Sequence, residues 1–175
     1  MIQVVMDTSS LISLELIEIL KKSLRIIEIT IPKTVKDEIR EIAKYKDLEG
    51  KSAKNVVKLI ENGTIKVVEI KNQKNVDNIL SRNVNRGEAE CFVCCVENKI
   101  SGLIMDDIDA AYSLEGFVIL NKINIKISIA VLMELYFQKI VDKKELKRLI
   151  KNLIKIREWE SGALEVLSNK YLENI

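Results

Sequence analysis

Four carboxylates, Asp7, Glu38, Glu88 and Asp107, are the side chains of this sequence whose type and placement could do chemistry. They lie far apart along the chain, yet each falls where a predicted strand ends, where a helix begins, or beside the apolar stripe of a helix. No histidine occurs among the 175 residues, so a site built from these acids offers oxygen donors alone. Such a donor set suits Mg2+ or Mn2+ rather than zinc and would serve metal-assisted hydrolysis of a phosphodiester.

Each acid has an ordinary reading beside the chemical one. Asp7 closes an apolar strand and opens a helix, where an N-cap is expected. Thr8, Ser9 and Ser10 offer three further capping side chains, which leaves Asp7 able to face the carboxyl edge of the sheet, where open α/β folds place ligands. In the helix that follows Pro32, Val35, Ile39 and Ile42 form an apolar stripe. Glu38 borders that stripe, whereas Asp37 and Glu41 fall well outside it. A carboxylate at such a border must be paired, protonated or bound to a cation, and an internal salt bridge is the competing reading. In NRGEAECFVCCVEN, Glu88 shares a side with Cys91, Phe92 and Cys95, whereas Glu90 lines up with Glu97 on a face expected to be wetter. Asp106, Asp107 and Asp109 crowd the start of another helix. Single acids there are caps, but three after an apolar strand repel one another, and a bound cation would relieve them.

The elements that must position these acids alternate between strand and helix, which predicts a central parallel sheet of about five strands flanked by helices. Strands are expected at 2 to 6, 25 to 31, 64 to 70, 99 to 105 and, from FVIL, at 117 to 120. Helices are expected from Thr8 to Lys22, from Pro32 onward, over about 51 to 62 ending at Gly63, near 76 to 82 after a polar NQKN turn, at 87 to 98, and from Asp107 to Gly116. From about Ile127 the chain reads as entirely helical, with apolar stripes through Ile129, Leu132, Met133 and Tyr136 and through Leu146, Leu149, Ile150 and Leu153. The expected organisation is one unit, residues 1 to 125, with a C-terminal helical extension, 126 to 175, packed on it.

Composition narrows the function classes. The chain is 47% hydrophobic and 31% charged, with the apolar residues interspersed rather than collected into a membrane-spanning run. No membrane association is expected, and Cys91, Cys94 and Cys95, an odd number on one helix, suit core packing in a reducing cytoplasm. The formal net charge is +2, so an acidic site would sit on a basic body able to draw in a polyanion. Without histidine, a Ser-His-Asp hydrolase, a metal-free His-based ribonuclease and a His-ligated zinc site are excluded. Neither GxxxxGK[ST] nor a GxGxxG after the first strand is present, and the DxDx[TV] start expected of a doubly wound phosphatase is replaced by DTSS.

DTSSLI at 7 to 12, PKTVKDEI at 32 to 39, GEAECFVCCVEN at 87 to 98 and LIMDDIDAAYSLEGFVIL at 103 to 120 together resemble the PIN-domain family of nucleases, in order and spacing, over about residues 1 to 125. The GEAE and DD segments and the helical tail resemble a prokaryotic subfamily related to VapC-type toxins. The resemblance implies a Rossmann-like α/β fold and divalent-metal-dependent endonucleolytic cleavage of RNA with Mg2+ or Mn2+. It places Asp7, Glu38, Glu88 and Asp107 as the catalytic metal ligands, with Asp109 or Asp106 as an auxiliary acid, and leaves open which of Asp106, Asp107 and Asp109 is the last ligand. Thr8 or Ser9 would orient a water. Arg82, Arg86, Lys33 and Lys36 are the basic side chains expected to meet phosphates. Implied partners are an RNA substrate, a second copy of the chain in a homodimer, and, if the role is that of a toxin, an antitoxin protein. The competing expectation is a non-catalytic PIN-like module that binds RNA or a protein partner.

Overall fold

The computed structural model describes residues 1–80 and 84–173. Five parallel strands, β1 (Ile2–Met6), β2 (Ile27–Pro32), β3 (Lys66–Val68), β4 (Gly102–Ile104) and β5 (Asn124–Lys126), form one sheet in the order β3-β2-β1-β4-β5. β1 is central, with Val5 beside Thr30 of β2 on one side and Leu103 of β4 on the other. From β1 the chain winds outward through β2 to β3, then returns past β1 to β4 and on to β5. The carboxyl ends of β1 and β4 are therefore a topological switch point, where neighbouring connections diverge and leave a crevice. Val5, Met6, Ile29, Ile31 and Leu103 are fully buried, as expected of parallel strands covered on both faces.

The helices flanking the sheet are α1 (Thr8–Leu16), α2 (Leu20–Ser23), α3 (Lys33–Ile42), α4 (Leu48–Glu61), α5 (Gln73–Leu80), α6 (Arg86–Asn98), α7 (Ile108–Ser113), α8 (Glu115–Asn121), α9 (Ile129–Phe137), α10 (Lys143–Ile156) and α11 (Ala163–Glu173). The expected single helix from Thr8 to Lys22 is broken. Glu18 turns to φ 58°, and the Ile19 N–H donates back to Leu14 O at 3.0 Å. That redirection carries both Ile19 and Leu20 into the core, which a straight helix would not do. Helix α4 begins earlier than expected because Asp47 caps it, accepting from Gly50 N at 2.7 Å. It finishes as expected, with Gly63 just beyond at φ 76°. Helix α5 starts inside NQKN, which was expected to be a turn.

The largest departure is FVIL, expected as the fifth strand and found inside α8. Phe117 packs on Phe92 with ring centroids 5.9 Å apart, and Val118 is buried, while Ile119 and Leu120 face solvent. The edge of β4 is taken instead by Asn124–Lys126, with Gly102 beside Asn124. Local β propensity yields here to tertiary position: only the segment after Lys122, itself turned to φ 56°, reaches that edge in register.

The C-terminal helices are as helical as expected. Helix α10 packs against α1 and α9, and α9 against α2. Leu146, Leu149, Ile150 and Leu153 are buried along one face of α10, as are Ile129, Leu132 and Met133 on α9. Among the described residues, no helix is long and apolar enough to cross a membrane.

Candidate active site

Asp7 sits where β1 and β4 part. Its own N–H donates to Ile104 O at 3.1 Å, which holds the residue at the switch point. Its side chain caps α1: Oδ1 accepts from Ser10 N at 2.8 Å, and Oδ2 from the Ser9 hydroxyl at 2.6 Å. The residue is only 5% exposed. Burial, with a smaller contribution from the neighbouring Asp106 charge, raises its carboxyl from 3.8 to about 7, against the opposing hydrogen bonds of Ser10 and Ser9. An acid so perturbed at a sheet switch point has the character of a functional group.

Glu38 arrives from the inner border of α3. It is half-buried, and its partner is not a cation: the Thr8 hydroxyl donates to Oε2. Its approach to α6 depends on Gly87. A Cβ there would lie 2.5 Å from Glu38 Oε1, so the missing side chain is what allows the two helices to bring Glu38 beside Glu88.

Glu88 is the third residue of a capping box. Asn85 Oδ1 accepts from Glu88 N at 3.0 Å, while the Glu88 carboxylate accepts from Asn85 N at 2.9 Å and from Asn85 Nδ2 at 2.5 Å. Glu88 thus complements the start of α6, yet the residue is buried. Its carboxyl is raised chiefly by burial and then by the charges of Asp107 and Glu38, with the Asn85 backbone opposing. Asp107 caps α7 through Oδ1, which accepts from Ala110 N at 2.9 Å, and it is exposed.

All four acids line one cleft of about 260 Å3, together with Thr8, Ser9, Asn85, Gly87, Glu49 and Arg157 and an apolar wall of Ile12, Val35 and Ile42. The auxiliary acids divide differently. Asp106 is buried behind the cleft, with Oδ1 accepting from Ser128 N at 2.7 Å. Burial raises its carboxyl, opposed by Ser128, Ser13 and the Arg157 charge. Asp109 is exposed on the first turn of α7 and does not line the cleft. Asp107 is therefore the acid of this trio that lines the cleft with Asp7, Glu38 and Glu88, whereas Asp106 reaches Asp7 through its charge alone.

The basic residues were less legible. Arg82 lies outside the described residues. Arg86 is engaged, its Nε donating to Glu90 Oε1 at 3.0 Å and Nη2 to Gln73 Oε1 at 2.7 Å. Lys36 faces a separate hollow beside β3, and Lys33 does not line the cleft. Glu90, expected on a wet face, is buried and also accepts from the Thr34 hydroxyl at 2.6 Å, pinning the start of α3 to α6. Among the described residues, the cation that lines the cleft, Arg157, comes from the end of α10 and carries no local signal in the sequence; nor does its partner Glu49. The Asn85-to-Glu88 spacing is a capping-box signal that would have pointed to Asn85.

The donor chemistry suits a hard divalent cation: four carboxylates, two of them buried, with no lysine among the described residues that line the cleft. As they stand, the acids are held by their own caps and hydroxyls. Among the described residues, no three Asp, Glu or Cys side chains are drawn together into a ready ion cage. The three cysteines are free and buried, as expected of core residues.

A doubly wound parallel sheet with four acids from four segments lining one cleft at its switch point defines the class of α/β architecture to which the chain belongs. Residues 3–168 match the PIN domain family, and the chain belongs to that family. Among curated proteins, none matches the sequence.

Proposed function

We propose that the protein is a divalent-metal-dependent endoribonuclease, in which Asp7, Glu38, Glu88 and Asp107 hold Mg2+ or Mn2+ against the scissile phosphodiester of an RNA. The observation that carries this reading is the convergence of these four acids in one cleft beside the switch point. Membership in the PIN domain family supports it.

When bound, such an ion supplies positive charge that strengthens a water as nucleophile at neutral pH and offsets charge gathering on the departing oxygen. The chain's own groups do the rest. Asp7, raised by burial to about 7, takes up a cation most readily when deprotonated, so binding and proton release are linked. Thr8 and Ser9 spend their hydroxyl protons on Glu38 and Asp7 and so aim those carboxylates. Asn85 holds Glu88 in place by two bonds, acting as an orienting partner behind a ligand. Ile12, Val35 and Ile42 add apolar surface to the cleft and limit water there. In-line attack would leave a 5′-phosphate on the product.

The remaining parts of the reading concern setting. Residues 126–175 act as an extension of the same unit, since α10 docks on α1. A homodimer is supported by Tyr112, Ile119 and Leu120, apolar side chains of α7 and α8 that are 78%, 68% and 82% exposed. A VapC-like toxin role with an antitoxin partner, and a cytoplasmic location, belong to the same reading.

The alternative, a non-catalytic module that binds RNA or a protein, is favoured by one observation: Asp7, Glu38 and Glu88 already have intramolecular partners and do not form a ready cage. Cleavage of a mixed-sequence single-stranded RNA with Mn2+ or Mg2+, beside EDTA and Asp7→Asn controls, separates the two. Cleavage abolished in both controls is the expected result. Absence of cleavage by folded, metal-loaded protein across several RNAs decides for the binding module.

A further inference from the structure

The cleft holds four candidate ligands and a fifth acid, Glu49, but a single cation among the described residues that line it, Arg157. This arginine follows the last residue of α10, and its backbone is fixed on both sides. Its N–H donates to Leu153 O at 3.0 Å, Glu158 then turns to φ 53°, and the Trp159 N–H donates to Ile154 O at 2.9 Å. Trp159 is itself buried, so the turn that presents Arg157 is anchored in the core.

The side chain is held less completely. Nη1 donates to Glu49 Oε1 of α4, and the two side chains are 21% and 51% exposed. Nε is buried and takes no partner among the described residues. An arginine fork carries five N–H donors suited to phosphate oxygens, and here one half-exposed carboxylate occupies part of that fork. The guanidinium charge also lowers the buried Asp106 carboxyl, while Glu49, the half-exposed partner, is the one a phosphodiester oxygen entering the cleft can displace.

Resting on the ribonuclease reading, we propose that Arg157 is the phosphate-binding side chain of the cleft, releasing Glu49 to grip a non-bridging oxygen of single-stranded RNA laid across the four acids. The C-terminal extension thereby supplies a substrate-binding residue as well as a packed face. Glu49 serves as the placeholder that keeps the guanidinium at the rim when no RNA is bound.

The test measures binding of a fluorescent single-stranded RNA oligonucleotide in Ca2+ buffer across a salt series, with Asp7→Asn as the uncleaving parent. In that background, Arg157→Gln weakens binding about tenfold and lowers the slope of log affinity against log salt by about 0.7, the value for one phosphate contact to a single strand. Arg157→Lys retains the charge but not the fork and falls between. Lys151→Gln, an exposed lysine on the same helix, serves as the control for general charge. An Arg157→Gln loss no larger than that of Lys151→Gln, or no binding by the parent, overturns the proposal. Should Arg157→Gln fail to fold, Glu49→Gln decides: binding tightened about threefold once the competing carboxylate is removed supports it, and unchanged or weaker binding overturns it. RNA binding that depends on Arg157 in a protein that never cleaves RNA would leave this proposal standing while the catalytic reading fails.

Discussion

Gly87→Ala probes the convergence of α3 and α6 without touching a carboxylate. The three atoms nearest the added Cβ would all belong to Glu38, at 2.5 Å for Oε1, 3.1 Å for Oε2 and 3.2 Å for Cδ. Ordinary contact begins at 3.4 Å, so the Glu38 carboxylate must withdraw by about 0.9 Å. Because it is the end of a flexible side chain, the fold can accommodate that shift. Replacing glycine within a helix recovers about 0.5–1 kcal/mol of backbone entropy, which offsets much of the crowding. Stability should therefore stay within about 3 °C of the parent midpoint. Catalysis should not be so tolerant, since a displacement of about 1 Å at a reacting centre can cost on the order of 100-fold. We expect kcat/KM for RNA cleavage to fall about 10- to 100-fold, with weaker Mn2+ binding by calorimetry. A Glu38→Ala, Gly87→Ala double variant should show no loss beyond Glu38→Ala, because the clash has been removed. Activity within twofold of the parent would show that Gly87 does not set the position of Glu38, and a drop in melting temperature large enough to account for the lost activity would show that the crowding falls on the fold instead.

Four further outcomes follow from the same geometry. The carboxyl of Asp7 is raised from 3.8 to about 7, so its neutral form is the one favoured by folding; the resulting stability is full below pH 3.8 and is lost as pH rises through about 7. At 1.36 kcal/mol per tenfold change in proton affinity, this term amounts to at most about 4 kcal/mol, and Glu88 and Asp106 shift in the same direction. Denaturant midpoints in EDTA should therefore fall between pH 4 and 8, and a flat profile would contradict the burial argument. Asp7→Asn should lose RNA cleavage yet match or exceed the parent in EDTA at pH 8, checked by the same titration. Lys99 ends α6 in the left-handed region at φ 56°, so Lys99→Gly should gain about 1 kcal/mol, or about 2–4 °C, measured by calorimetry. Burial pushes Cys94 up to about 12 and raises Cys91 and Cys95 as well; a thiol reagent at pH 8 should modify none of the three until denaturant is added.

Much of this protein is written in short-range pattern. The apolar runs of β1 and β2, the stripe that borders Glu38, and the capping positions of Asp7 and Asp107 depend only on residue type and local periodicity, and they appear in the structure as expected. The same periodicity separates Glu38 from Asp37 and Glu41 because helix geometry alone decides which of them borders the core. Other features depend on partners that no local window contains. FVIL became helix because the free edge of β4 lies within reach of residues 124–126 only. Glu90 became buried because Thr34 and Arg86 close over it from the start of α3 and from α6 itself. Asp107 was separated from Asp106 by backbone direction: one side chain turns to the cleft and the other to Ser128. Arg157 reached the cleft because α10 docks on α1, a long-range packing choice driven by the buried face Leu146, Leu149, Ile150 and Leu153. Local pattern thus marks out the candidate acids, since each element's geometry is local. Which of them line one cleft, and that Arg157 lines it with them, follows from how the elements pack, because convergence is a property of packed elements and not of any one of them.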